Sequence, residues 1–565
     1  MAFRALIGGI LSKPDPSKVG GIAPVLYANM ETEVYRQGGT NSAYTDLFAN
    51  KRTDPALMTD SSGNLVWSPH NRTTYSEDFT NWGLSGTTLT ADDLTAFNGG
   101  ATKIHATSGA GVKQLTIRPP ASTVWVDTVV IAKADEWDHM LMWHDGPNEG
   151  RFFDLTNGTL STQYGSPRGA TIKGLGDGWY KCTLQTNVWT SGRDLFLWIS
   201  DSTATSPTGD GTSGLHIRAV YQVDGRLSVG DNPDLVAVGL EDYVPTNEAP
   251  VYLPRLHDHV YEGGAWVDKG LLIEPAATNQ LHYSRDLTDA WWDDNTGTVT
   301  GPDANGWVSL SGTGSTEGAV KTTALTYDTD PFVTSFEVEK ASGGWLFIRC
   351  GKSTSSFYSA WLDIDNGTAG ATTGASVDLV VRDRDDRWFV EYRHPGVAAS
   401  SNLFQIFEVS GDGVSNGSGS VTVKIRDLQL EYNTLIATSH YPTAGAAAIR
   451  TADSQLLLVD NAVMPTYTTD LTIVVKGDFN YVDEGSAAQQ VLLNWGSGSD
   501  YITIDMDTDG AATGEINVNQ SSTTDGLDTI VSGVEYTPLP VADFSIGSRN
   551  ADAQVSVSNY GLVET

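Results

Sequence analysis

The sequence has only two cysteines in 565 residues, Cys182 and Cys350, too few for a disulfide framework. They fall at non-equivalent points of the internal repeat described below and are expected as buried free thiols. Cations are also scarce: 34 Lys and Arg stand against 69 Asp and Glu, a formal charge of −35. Without a Lys/Arg cluster along the chain, such a charge repels a phosphate backbone, so nucleic acid is not an expected partner. No run of about 18 apolar residues occurs, so no membrane insertion is expected. Amphipathic helical periodicity, zinc-type His spacing and a phosphate-binding glycine loop are missing as well.

What is present points to ordered, turn-rich β-structure. The length calls for three to five domains at roughly 100 to 200 residues each. A hydrophobic content of 39% with 16 Trp excludes a disordered chain, and 59 Gly mark frequent turns. At the start, Met1 to Lys13 holds one early Arg and an apolar stretch from Ala5 to Leu11. That stretch is short for a secretory signal core, and Lys13-Pro-Asp-Pro16 stands where a small-residue cleavage site belongs, so the segment reads as a docking element.

The sequence carries a long internal repeat. Asn71, Tyr75, Ser76, Asp78 and Trp82 reappear as Asn279, Tyr283, Ser284, Asp286 and Trp291, the first four at a displacement of 208. Lys133-Ala134 matches Lys340-Ala341, Asn157-Gly158 matches Asn366-Gly367, Trp179 matches Trp388, and Ile217-Arg218 matches Ile425-Arg426, all within one residue of that displacement. Two copies of one domain follow. Their segments read as strands: Val124 to Ile131 and Phe332 to Val338 are rich in β-branched and aromatic residues, and each Asn-Gly supplies a tight turn. Strands spaced by turn signals every 8 to 12 residues suggest two-sheet sandwiches. After Arg450-Thr-Ala-Asp453 a third unit without the repeat signature contains Leu471 to Val475, Val491 to Trp495, Tyr501 to Ile504 and Phe544 to Ile546. The expected organisation is all-β, with an N-terminal docking segment over 1–60, jelly-roll β-sandwich copies over 61–250 and 251–445, and a different sandwich over 446–565.

The string Gly270 to Asn279, then Tyr283-Ser284, Asp363 with Asn366-Gly367, Trp388, Leu428-Gln-Leu-Glu431, Tyr441-Pro-Thr443 and Arg450 to Asp453, resembles a module of tailed-bacteriophage tail fibres, tail spikes and virion surface proteins. Such modules are similar to carbohydrate-binding jelly rolls, and the third unit is similar to a concanavalin/laminin-G-like sandwich, with Leu493-Asn-Trp495-Gly and Ile546-Gly-Ser548-Arg549 in the expected places. Copy one departs at its end, where Gln222-Val-Asp224 stands in place of Gln429-Leu-Glu431. The resemblance implies a non-enzymatic virion structural protein at the tail surface, extracellular after release and homotrimeric. It would dock on other tail or head proteins through its N-terminal segment and contact host-surface glycan during adsorption. A head fibre or capsid decoration protein is the alternative, and a capsule-degrading tail spike a third reading.

Local motifs are few. Asp505-Met-Asp507-Thr-Asp509-Gly510 matches the first half of a calcium loop, but the twelfth position is Ile516 where a bidentate Glu belongs. The competing reading is a hairpin from Tyr501–Ile504 to Glu515–Val518. Otherwise no cofactor is expected. Gly413-Val-Ser-Asn-Gly417 has the letters of a nucleophile elbow but lies in low-complexity sequence with no following helix pattern. With 69 acidic residues, accidental carboxylate pairs carry no argument for glycoside hydrolysis. Trp82 with Trp291, Trp137 with Trp345 and Trp179 with Trp388 recur and are expected in the cores. Trp143, Trp189, Trp266, Trp292 and Trp307 lack counterparts. Of these, Trp143-His144-Asp145 offers a ring with polar neighbours beside a turn, the composition of a sugar subsite; the competing reading is a partly buried Trp at an inter-domain contact.

Overall fold

The computed structural model describes residues 52–453 apart from 98, 121–124, 188–192, 226–241, 294–296, 304, 313–318, 322–324, 326–330, 353–356, 375–376, 395, 397–400, 418–420 and 435, and on either side of that span only individual strands. The protein is all-β. Among the described residues the helical elements are single 3-10 turns, Phe79–Asn81 and Lys340–Ser342, and no helix is long and apolar enough to cross a membrane. Two compact units emerge, one of residues 53–57 and 65–253, the other of residues 1–52, 58–64 and 254–565.

The first unit is a sandwich of two six-stranded antiparallel sheets. One runs Thr87–Ala96, Gly99–Ala106, Gly214–Asp224, Val126–Ala134, Trp179–Thr186, Gly169–Gly176, and the other Thr159–Tyr164, Glu149–Asp154, His139–His144, Leu195–Ser200, Gln114–Ile117, Gly83–Ser85. Residues alternate between faces, so Val130, Cys182, Leu184 and Ile217 meet Met140, Met142, Phe153 and Leu197 in one core. The second unit repeats this order, with five described strands in its second sheet: Thr298–Thr300, Val308–Ser311, Thr422–Tyr432, Phe332–Glu339, Arg387–His394, Asp378–Arg384 against Thr368–Thr373, Phe357–Asp363, Trp345–Lys352, Ser401–Val409, Ala319–Lys321. Its core joins Phe336, Val390, Tyr392 and Leu430 to Ile348, Cys350, Leu362 and Ile406. Both cysteines are buried free thiols.

The repeated Asn…Tyr-Ser motif is a latch. Asn71 Oδ1 accepts from Gln222 N at 3.1 Å while its Nδ2 donates to Val244 O at 2.8 Å. Asn279 does the same with Leu430 N at 3.2 Å and Tyr441 O at 2.9 Å. Thr246 Oγ1 donates to Thr73 O and Thr443 Oγ1 to Leu281 O, each at 2.5 Å, and the Ser76 and Ser284 hydroxyls accept from Thr246 N and Thr443 N at 2.9 and 3.0 Å. Tyr75 and Tyr283 sit at φ 51° and 49°. Each latch therefore staples the chain entering a sandwich to the chain leaving it, and satisfies buried backbone groups that no sheet ladder reaches.

The latch also corrects the alignment. Gln222 is the counterpart of Leu430, not of Gln429, so Gln222-Val-Asp224 lies one position out of step with Gln429-Leu-Glu431. A slip of one residue reverses faces: Gln222 points into its core, whereas Gln429 and Glu431 point outward and hold Thr438 and Tyr441. The tryptophan pairs shift likewise. Trp82 donates from Nε1 to Tyr75 O at 3.1 Å, and it is Trp292, not Trp291, that donates to Tyr283 O at 3.3 Å; the connecting turn is two residues longer in the second copy. Tyr180 is the ring that lies over Gly158, as Trp388 lies over Gly367, and a Cβ on either glycine would come within 2.7 Å of that ring. Trp179 pairs with Lys133, as Arg387 pairs with Glu339. Trp345 faces outward in the second sandwich, whereas Trp137 is in the first sandwich's core.

The Glu274 and Arg450–Asp453 motif residues form a buried ion cluster. Arg255 lies 2.5 Å from Glu274 and also binds Asp453; Ser439 Oγ donates to Glu274 at 2.5 Å, Arg52 reaches Asp453 at 3.0 Å and Arg450 reaches Glu274 at 3.4 Å. Desolvation opposes the charge on Glu274, but Arg255 and Arg450 outweigh it and hold the carboxyl well below the usual range.

Backbone ladders place the N-terminal strands in the C-terminal region. Phe3–Ile7 pairs with both Thr472–Phe479 and Leu271–Ile273, and the same sheet continues through Leu26–Asn29 and Val34–Gln37 on one side and Ala542–Arg549 and Gln554–Asn559 on the other. Of the expected docking segment 1–60, residues 1–2, 8–25, 30–33, 38–39, 42–47 and 51 lie outside the described residues. Leu562–Glu564 pairs with Gln554–Asn559 and Gln455–Leu457 with Phe48–Asn50, and Gln490–Ser497, Asp500–Met506, Ile516–Ser522 and Gly526–Val531 form a four-stranded meander.

Candidate functional site

Strand alternation separates the predicted Trp143-His144-Asp145 group. On His139–His144, Met140, Met142 and His144 face the core while Leu141 and Trp143 face outward. His144 is 1% exposed. Its Nε2 lies 2.9 Å from Thr128 Oγ1 and 3.1 Å from Gln222 Nε2, so the amide donates to Nε2 and the ring proton sits on Nδ1. Burial pushes the ring's pKa down to about 3. A neutral imidazole locked inside the sandwich cannot touch a surface ligand, which removes His144 from a sugar subsite. Asp145 turns to the neighbouring loop, its Oδ1 accepting from Asp194 N at 2.7 Å.

Trp143 stays on the outer face and gathers partners that are far away in sequence. Its ring centroid is 5.2 Å from Phe196 and 5.7 Å from Trp198. All three rings are half-buried. Register sets Gln114 opposite Trp198 and Thr116 opposite Phe196 on the same face. The Arg118–Asp194 ion pair, at 2.7 Å, stands at the end of these strands, with Asp145 bonded to the same Asp194. The result is an aromatic platform flanked by an amide, a hydroxyl and a charged pair. Phe196 and Trp198 have no polar neighbour in sequence to mark them as surface, since Leu195-Phe-Leu-Trp-Ile199 is an unbroken apolar run. The available signal was that an unbroken apolar run carries apolar groups on both faces.

A second polar–aromatic group occurs in the first sandwich. The Arg168 guanidinium lies over the Trp125 ring at 3.0 Å and donates to Asn187 Oδ1 at 2.7 Å. On the strand that Trp125 precedes, Asp127 accepts from Gln185 at 3.1 Å, and desolvation raises its carboxyl to about 6.

The calcium motif divides. Asp505 is in the strand Asp500–Met506 opposite Asn517, 1% exposed, and accepts from Asn519 Nδ2 at 2.6 Å. Asp507 and Asp509 lie outside the described residues. Among the described residues no group of three His, Cys, Asp or Glu converges as a metal site would require. Ser415 lies in the irregular connection between Ser401–Val409 and Thr422–Tyr432, and among the described residues no helix follows it, so the strand–turn–helix frame of a nucleophile elbow is not seen there. No family model matches this chain, and no curated protein matches it in sequence.

Proposed function

We propose that the chain is a bacteriophage virion structural protein, a tail fibre or related tail component, and that its first sandwich holds host-surface carbohydrate against the Trp143–Phe196–Trp198 face. The observation that carries this reading is the platform itself. A pyranose presents an apolar C–H face that stacks on aromatic rings, while Gln114, Thr116 and the Arg118–Asp194 pair supply donors and acceptors for its hydroxyls. Rigid antiparallel sheets fix the rings without a ligand, so little ordering entropy opposes binding. Weak single contacts become useful when many copies act together on a particle.

The test has two levels. Purified particles should contain the protein, and particles lacking it should adsorb poorly to host cells; normal adsorption without it would end the proposal. At the site, Trp143→Ala with Phe196→Ala should weaken binding of the isolated protein to host-surface glycan by about tenfold or more. Unchanged binding would remove this face from the mechanism.

A further inference from the structure

The scarcity of cations makes their convergence in the second sandwich notable. On the outer face of its six-stranded sheet, Glu337 is held by Arg384 at 3.0 Å, Arg387 at 2.8 Å and Arg426 at 2.7 Å. Glu391, on the next strand, is held by Arg382 at 3.0 Å and Arg393 at 2.6 Å. Five guanidinium groups thus share two buried carboxylates.

The acids around them divide unevenly. Asp386 serves Arg387, and Asp427 is shared by Arg426 and Arg285. Asp383 is taken by Lys340 at 2.6 Å, and Asp378 lies across the register from Arg393. Arg387 is buried and Arg426 nearly so, whereas the side chains of Arg382, Arg384 and Arg393 remain 46%, 29% and 22% exposed. These three stand on Asp378–Arg384, the sheet's edge strand, and its neighbour. Between them is the half-buried Phe389 ring, with the Arg384 guanidinium 4.0 Å and the Arg382 guanidinium 5.8 Å from its centroid. The first sandwich has Lys173, Lys181 and Gln185 at the positions of Arg382, Phe389 and Arg393, and Ile131 at that of Glu337.

We propose that Arg382, Arg384 and Arg393, arrayed around Phe389, form a second saccharide subsite specific for the carboxylate of an acidic sugar. A guanidinium already engaged by one carboxylate oxygen keeps several N–H donors, and its planar fork matches a second carboxylate. An added anion also relieves repulsion among arginines that share too few counter-ions. Phe389 supplies the apolar contact that a free inorganic anion would not use. The chain's negative charge does not cancel the patch, because at physiological ionic strength charges beyond about 8 Å are screened. The idea rests on the glycan-binding reading but uses a separate site.

The experiment is calorimetric titration of the full chain with an oligogalacturonate and, in parallel arms, a neutral maltooligosaccharide of equal length, a sulfated oligosaccharide, inorganic sulfate and a short DNA duplex. The oligogalacturonate should bind; Arg382→Ala with Arg384→Ala should weaken it roughly tenfold, as should about 0.5 M NaCl, with the thermal transition retained. The same double substitution should leave binding of host-surface glycan to the Trp143 face in place. If the neutral sugar binds through these arginines equally well, if sulfate, the sulfated sugar or DNA matches the uronate with the same sensitivity to the double substitution, or if no uronate binds, the subsite is overturned. Uronate binding that persists when Trp143 proves irrelevant to host glycan would preserve this site and reject the other.

Discussion

In the first sandwich, the outer face around Val126–Ala134 is apolar, with Val129, Ile131, Trp179, Ala219 and Tyr221 packed under Tyr243. In the second, the matching positions of Ile131 and Trp179 are Glu337 and Arg387, and the face is held by ion pairs. The opposite sheets differ too. In the second sandwich Phe347, Trp361, Phe407 and Val409 are joined by Val414, whose carbonyl accepts from Trp361 Nε1 at 2.5 Å, whereas the first keeps the Trp143 platform half-exposed. Strand order and latch are nevertheless the same. The same topology and latch therefore tolerate outer faces of different chemistry.

The largest expected effect tests the ionic face. Glu337→Gln would leave Arg384, Arg387 and Arg426 clustered without their shared carboxylate, at a cost of about 3–5 kcal/mol, read as a lower calorimetric transition. The lowered pKa of Glu337, caused by Arg426, Arg384 and Arg387 against desolvation, sets the sign. Its contribution is present above the ordinary carboxylate range and is lost as pH falls through the lowered folded-state pKa. The substituted protein should lack that part of the acid sensitivity. The reciprocal Ile131→Glu should destabilise the first sandwich; a tolerated charge there would break the contrast between the faces.

The latch should give smaller and matched effects. Asn71→Ala strands Thr73 N, Gln222 N and Val244 O, and Asn279→Ala strands Leu281 N, Leu430 N and Tyr441 O, so each should cost about 2–3 kcal/mol or more, one in each sandwich's unfolding transition. A loss in one alone would show that the shared geometry does not carry shared stability.

Much of this was legible in the sequence. Turn chemistry and β-branched strands announced the sandwiches, and Asn71, Tyr75 and Ser76 recurred as Asn279, Tyr283 and Ser284 because the latch requires those groups. Tryptophan correspondences were less legible, because a ring can enter a core from a neighbouring position when a turn lengthens, as Trp292 does. The candidate surfaces were least legible. Trp143 was visible by itself, but Phe196 and Trp198 lie on a strand that pairs with it across the fold, so their proximity is a property of register. Of the arginine cluster, Arg382, Arg384, Arg387 and Arg393 sit close together in sequence on one hairpin, and it is Glu337 and Arg426 that register brings to them. His144 was misplaced because adjacency in sequence means opposite faces on a strand.

The last contrast lies inside the cores. Thr128, His144 and Gln222 of the first sandwich occupy the positions of Thr334, Cys350 and Leu430, where the Thr334 hydroxyl lies 4.0 Å from the Cys350 sulfur. The polar set is incompletely satisfied, since Gln222 Oε1 is buried without a partner. Replacing it whole, with His144→Cys and Gln222→Leu together, should change stability at neutral pH by about 1 kcal/mol or less, whereas Gln222→Leu alone should cost more because it removes a donor from both Thr128 and His144. The pH profile separates this from simple repacking. His144 titrates at about 3 in the fold through burial against about 6.5 when unfolded, so the unfolded chain binds the extra proton between those values. Stability should therefore fall with acidification across that window by up to about 1.4 kcal/mol per pH unit. The double variant should lose that slope in the first sandwich's transition while the second sandwich's transition keeps its own acid dependence; an unchanged slope would mean that His144 is not the buried base that the two cores do not share.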